Sequence, residues 1–251
     1  MSKSGLTRRD ILQLGAAMGA PFLINASIEV RSMAMPQKLV PATNAVDHLL
    51  LGTSDLDQGT AWVEKTTAVK AVAGGSHPGV GTRNALLSLG GKQYLEIIAP
   101  DPAQTAYNFQ IEIRKLATPR LITWAAVATD IQAVAKRARE AGHQIFGPRD
   151  GARARPDGRV LKWKTMGVMN TLGVQGVEPI PFFIEWSADS LHPSQDSPQG
   201  CRLLSIELAH PDPSAVRQLL EKLGIAIEVK PANEARLRAT VDTPKGKVVL
   251  S

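Results

Sequence analysis

Past residue 40 the chain alternates short apolar runs with segments of helical period, and the alternation repeats. VDHLLLGT predicts a strand, and Asp55 to Thr67 carry a helical pattern that Ser54 or Asp55 is placed to cap. VKAVAGG then leads into the glycine-rich loop GGSHPGVGTRN. NALLSLGG and KQYLEIIAP read as two strands, with Gly90-Gly91 marking a tight turn between them. The order is β-α-β-β-β.

The same order returns downstream. LITWAAVAT predicts a strand, Asp130 to Ala141 a helix closed by Gly142, and GHQIFGPRDG, RVLKWKTMGV and PFFIEWS three further strands. Two units of one element order form an internal repeat. The stretch from 188 to 200 has the composition of a linker. Beyond it, residues 201–251 begin a short third unit: the strand RLLSIELAH, the helix PSAVRQLLEKLG started by Asp212 and Pro213, and further short strands.

Composition adds few constraints. With 251 residues, 43% hydrophobic and 21% charged, the chain has the make-up of an ordinary globular protein. A net charge of +6 would attract anions, but aromatics at 4% supply few stacking platforms, which argues against nucleic acid as a partner. Nothing matches a phosphate loop or a dinucleotide fingerprint, so no nucleotide cofactor is expected. Cys201 stands alone, before an apolar run, as a small buried residue rather than a nucleophile.

The first 34 residues differ from the rest. Thr7-Arg8-Arg9-Asp10-Ile11-Leu12 precedes a modest apolar run and then small residues, the layout of a twin-arginine signal peptide cleaved after Ala34 or Ala26. It predicts the twin-arginine export machinery as a partner and a periplasmic destination.

Chemistry-bearing side chains lie on the apolar runs. His48, Glu96 and Glu185 are titratable groups in strand-like segments, where burial is costly unless they bind something. Period-two alternation puts Tyr94, Glu96 and Ile98 on one strand face, and Phe183 with Glu185 on one face of another. His77 lies among Gly74, Gly75, Gly79 and Gly81, where backbone can approach a ligand. Arg83 and Asn84 open the next strand with hydrogen-bonding groups for a carboxylate or carbonyl. Arg155 tops the densest basic stretch, which also holds Arg149, Arg153, Arg159, Lys162 and Lys164. Trp124 and Trp163 offer an apolar wall for a ring or acyl chain.

With VDHLLLGTSDLD, YLEIIAP and FFIEW at these places in a βαβββ repeat, the chain resembles the vicinal oxygen chelate superfamily, and within it the glyoxalase-like domain group. HPGVGTRNALLSLG and RARPDGRVLKWK are similar to that group's local signatures. The resemblance spans residues 44–187, as modules 44–102 and 120–187. It implies an α+β fold whose paired modules form a curved, half-barrel mixed sheet around a central cavity, with the third βα unit appended. Superfamily members often pair modules across subunits, so a homodimer is an expectation, although two modules in one chain can close their own cavity.

The resemblance further implies one divalent metal ion held by His48, Glu96 and Glu185. The remaining ligand position falls on Trp124 or Thr123, and neither is a normal ligand. The function expected is binding of a small carbonyl or carboxylate compound, with lyase or isomerase chemistry by Glu96, Glu185 and His77 and substrate contacts from Arg83, Asn84, Trp124, Arg155 and Trp163. The competing reading is a non-catalytic module that sequesters a ligand in the same cavity.

Overall fold

The strands alternate in face, and the helices between them cover one side only. The structure, a computed structural model, describes residues 38–155 and 158–251. The twin-arginine layout lies outside the described residues. A two-residue strand β1 (Val40–Pro41) and a helical turn α1 (Ala42–Ala45) lead into the first module. That module is β2 (Val46–Gly52), α2 (Leu56–Thr67), β3 (Val72–His77), β4 (Thr82–Ser88) and β5 (Tyr94–Pro100). The second is β6 (Arg120–Val127), α3 (Ile131–Glu140), β7 (Ile145–Ala154), β8 (Val160–Val168) and β9 (Phe182–Trp186). The βαβββ repeat read from the sequence is therefore present twice.

Both module helices begin on an aspartate. Asp55 accepts the Gln58 N–H at 2.8 Å, and Asp130 accepts the Ala133 N–H at 3.0 Å. Each satisfies a backbone donor that the first helical turn leaves without a partner.

Eight strands form one sheet in the order β3-β4-β5-β2-β6-β9-β8-β7. In each module the first strand pairs in parallel with the last, β2 with β5 and β6 with β9. The modules join back to back through the antiparallel pair β2/β6, where Leu49 faces Trp124 and Leu50 faces Thr123. The sheet curls until its free edges, β3 and β7, approach one another. It is a half-barrel, as the resemblance implies.

The glycine-rich segment contributes more strand than its composition suggests. GGSH continues β3 as an edge strand with a bulge between Ala73 and Gly75, and the turn occupies only residues 78–81. A Cβ on Gly74 would lie 2.3 Å from Asn84 Oδ1, so glycine there leaves room for that side chain.

The two sheet faces have opposite roles. The convex face buries Leu49, Leu51, Leu95, Ile97, Trp124 and Phe183 with Val63 of α2 and Ile131, Ala135 and Ala138 of α3. Burial of each large side chain stabilises by about 1.5–3 kcal/mol. The concave face holds a smaller cluster, Leu50, Ile98, Ile113 and Ile122, reached by Tyr107 and Phe109 of the intermodule loop.

The third unit comprises β10 (Arg202–His210), α4 (Pro213–Lys222), β11 (Ile225–Ala226), β12 (Val229–Pro231), β13 (Arg236–Thr243) and β14 (Gly246–Leu250). Its sheet order is β12-β10-β13-β14, so its first strand lies between two others rather than beside the last, as in the modules. It joins the same core through Val216, Leu219 and Leu220, and β1 pairs in parallel with β11.

Candidate functional site

The concave face encloses a cavity of about 930 Å³. The first module supplies its polar end. His48 from β2, His77 from β3, Thr82 and Asn84 from β4, and Tyr94 and Glu96 from β5 all line it. The second supplies mainly an apolar wall: Phe146, Trp163, Phe182, Ile184 and Trp186. Trp163 and Trp186 pack at 5.5 Å between ring centroids.

Glu96 is at the centre of the polar end and is buried. Its Oε1 accepts from Asn84 Nδ2 at 2.5 Å. Its Oε2 lies 3.4 Å from His48 Nε2, and its Oε1 3.6 Å from His77 Nε2. Burial alone would raise its pKa, but His77, His48, the Asn84 hydrogen bond and the Arg153 charge outweigh burial and hold the carboxyl below the usual range.

The orientation of Asn84 follows from Arg153. The guanidinium NH1 donates to Asn84 Oδ1 at 2.7 Å, which leaves Nδ2 to donate to Glu96 and to lie 3.3 Å from His77 Nε2. His77 Nδ1 lies 2.9 Å from Thr82 Oγ1. Burial pushes the His77 imidazole below its usual pKa, against the opposing pull of Glu96.

His48 is fixed from behind. The bulge in β2 makes Asp47 an extra residue between Val46, opposite Ala126, and His48, opposite the adjacent Ala125. This brings Asp47 Oδ1 within 2.7 Å of His48 Nδ1. Asp47 Oδ2 accepts from Trp186 Nε1 at 3.0 Å and lies 3.2 Å from His192 Nε2. Burial opposes the Asp47 charge, but the hydrogen bonds from His192 and His48 hold its pKa down. An ionised carboxylate only accepts, so the proton of His48 facing Asp47 is on Nδ1, and Nε2 is left to Glu96 and the cavity. Tyr94 stacks on the imidazole at 4.5 Å between centroids.

Four of the side chains singled out from the sequence lie elsewhere. Glu185 is on the convex face of β9, and its Oε2 accepts the Ile131 N–H at 2.6 Å, at the start of α3. Trp124 is fully buried in the convex core with its indole N–H on Pro179 O at 2.9 Å, and Thr123 is the β6 residue that lines the cavity. Arg83 alternates away from Asn84 and lends its charge to the region of Asp101, which Gln104 and Ala103 hold below its usual pKa by hydrogen bonds. Arg155 pairs with Asp196 of the linker at 2.9 Å.

The expected metal set is consequently not assembled. His48 and Glu96 meet, Glu185 lies on the far side of the sheet, and the Asn84 amide nitrogen fills the space between Glu96 and His77. Among the described residues no three His, Cys, Asp or Glu side chains form a group that could hold a metal ion.

Sequence reading did not select Arg153 or the Asp47–His192 contact. Arg153 is one of a run of basic residues, and only the alternation of Gly151 and Arg153 along β7 hints at an inward face. His192 reaches Asp47 across 145 positions, which no local pattern records.

Comparison with known proteins bears on the family and the fold. A sequence model described as the glyoxalase-like domain matches residues 46–224, well over half of the chain. A hypothetical protein from Staphylococcus aureus is similar in structure, with a TM-score of 0.59 at 18% identity over 76% of this chain and 87% of the other. Methylmalonyl-CoA epimerase from Mycobacterium tuberculosis gives a TM-score of 0.39 at 20% identity, covering 62% of this chain and 95% of its own. The Streptomyces coelicolor epimerase in complex with 2-nitronate-propionyl-CoA gives 0.42 at 17% identity, over 58% and 99%. No curated protein matches the sequence significantly.

Proposed function

We propose, for a chain that belongs to the glyoxalase-like domain family of the vicinal oxygen chelate superfamily, that the cavity binds a small carbonyl compound and that Glu96 moves a proton at the carbon beside the carbonyl, as in an isomerase or lyase. The observation that carries this reading is the placement of Glu96. It is a buried carboxylate set among His48, His77 and Asn84, at the polar end of an otherwise apolar cavity. A base in such a place acts on a substrate that has displaced water, which strengthens its interaction with the reacting atoms.

The other residues have supporting tasks. Asn84 orients the Glu96 carboxylate, and Asp47 orients His48 so that its Nε2 faces the same space. His48 is then the group across from Glu96 for returning or relaying a proton. The wall of Phe146, Trp163, Phe182 and Trp186 receives the apolar body of the ligand.

Deuterium uptake tests the reading. A panel of aryl and alkyl ketones and esters is incubated with the protein in deuterated buffer and followed by proton NMR at the position beside the carbonyl. Protein-dependent exchange that disappears in Glu96→Gln supports it. Binding of panel members without exchange, unchanged in Glu96→Gln, would establish instead the non-catalytic module that holds its ligand in the same cavity.

A further inference from the structure

Besides orienting Asn84, the guanidinium of Arg153 borders the cavity and is positioned to meet a ligand there. It lies on β7, is 8% exposed, and reaches over the seam between the two free sheet edges. Its stem passes Gly75, where an added Cβ would make only an ordinary contact with Arg153 Cδ at 3.4 Å, so it is the backbone φ of +141° that calls for glycine there. NH1 is engaged by Asn84 Oδ1, while Nε has no hydrogen-bond partner among the described residues. That donor is itself shielded from the cavity, so a ligand oxygen would meet Arg153 at the part of the guanidinium that lines the cavity.

The charge already present decides which oxygen fits. Arg153 donates to one end of the Asn84 amide, and the other end donates to Glu96, so cation and anion are balanced through one neutral side chain. A carboxylate ligand would bring a second anion against Glu96 in a pocket walled by rings, where like charges repel strongly. A neutral carbonyl adds no charge. When Glu96 takes the proton from the adjacent carbon, the C–H electron pair forms a carbon–carbon double bond and the carbonyl π pair moves to oxygen. The negative charge passes from Glu96 to the enolate oxygen, and the total is unchanged. A guanidinium beside that oxygen stabilises charge only as it develops.

Size points the same way. A cavity of about 930 Å³ with this wall is poorly filled by a compound of a few atoms. We infer that the substrate is a neutral, bulky and mostly apolar carbonyl compound, an aryl or long-chain ketone or ester, whose carbonyl oxygen is received by Arg153. The inference rests on the reading of Glu96 as the proton carrier.

Matched probes test it by binding alone. Acetonaphthone and naphthoate, with the same ring position substituted, are titrated into the full chain, with Trp163 and Trp186 fluorescence as the signal. In the wild type the ketone should bind about tenfold or more tightly than the carboxylate. Arg153→Gln should weaken the ketone about tenfold. Glu96→Gln should strengthen naphthoate about tenfold, because it removes the competing anion while Arg153 remains. Arg153→Lys keeps the charge and much of the stem, and should weaken the ketone by a smaller factor, which reads the contact if the glutamine variant does not fold. Naphthoate binding as well as or better than the ketone in the wild type overturns the inference. So does a ketone affinity unchanged in both Arg153 variants, or no binding of either probe. Because turnover is not read, lack of deuterium exchange would refute Glu96 as a base while leaving the measured preference intact.

Discussion

Glu96 and Glu185 occupy the last strand of their respective modules, each four residues or fewer from its centre, and they do different things. Glu96 shares its face with Tyr94 and Ile98 and points into the cavity. Glu185 shares its face with Phe183 and points to the helices, where it accepts from the first turn of α3. In β9 the cavity residues are Phe182, Ile184 and Trp186, so both strands present their first, third and fifth residues to the cavity and the glutamate stands one place later in β9. A shift of one position in a strand carries every side chain to the other face. The same fold thus places one module's carboxylate in the cavity and the other's at the start of a helix. The cavity inherits a polar half from the first module and an apolar half from the second.

The largest effect that separates the halves is expected from Glu96→Gln. Exchange beside the carbonyl should fall by about 10²–10⁴-fold, the usual contribution of a positioned base. The melting temperature of this variant should stay close to that of the parent, which differential scanning calorimetry checks. Next in size is Trp124→Ala. Removing this fully buried ring from the convex core should destabilise by about 3–5 kcal/mol in urea titrations. A ligand-binding role for Trp124 would instead show as lost affinity at near-normal stability.

Glu185→Gln should cost about 1 kcal/mol, the scale of a lost helix-start contact, and should leave probe affinity unchanged. Equal loss of affinity in the Glu96 and Glu185 variants would erase the distinction between the two carboxylates.

The smallest effect concerns acid. Asp47, Glu96 and His77 all titrate below their ordinary values in the folded protein. The unfolded chain therefore binds more protons, and the stability these groups contribute is complete above the unfolded values and lost as pH falls. The loss should begin below His77's ordinary value of 6.5 and continue below the ordinary carboxylate values of 3.8 for Asp47 and 4.5 for Glu96. His77→Gln should flatten the upper part of that slope, by a few tenths of a kcal/mol to about 1 kcal/mol across a series of urea midpoints. A slope unchanged in that variant would move the acid sensitivity out of the first module's polar end.

The sequence made the repeat legible because strands, turns and helix caps are local. Asp55, Asp130 and Gly90-Gly91 mark boundaries by chemistry that acts over a few residues. His48 and Glu96 were legible for a related reason: a titratable group in an apolar strand must have partners. The face of Glu185 was not legible. Phe182, Phe183 and Ile184 are apolar in succession, so alternation identifies two faces without saying which is inside. LITWAAV conceals Trp124 in the same way. Arg153 was obscured by its basic neighbours, which differ from it only in the partners that the curl of the sheet brings close. His77 and Asn84 emerged as neighbours of Glu96 only once β3, β4 and β5 were in register.

The pairing of β1 with β11 bears on how the chain is made. Val40–Pro41 is the first strand to be synthesised among the described residues, and its partner Ile225–Ala226 is among the last. During synthesis from the N-terminus, the start of the fold waits for its end. A chain stopped after the second module would leave β1 without its partner and the convex core without Leu219 and Leu220. Completion of the native state therefore waits for the third unit, and is not an event of either module as it emerges.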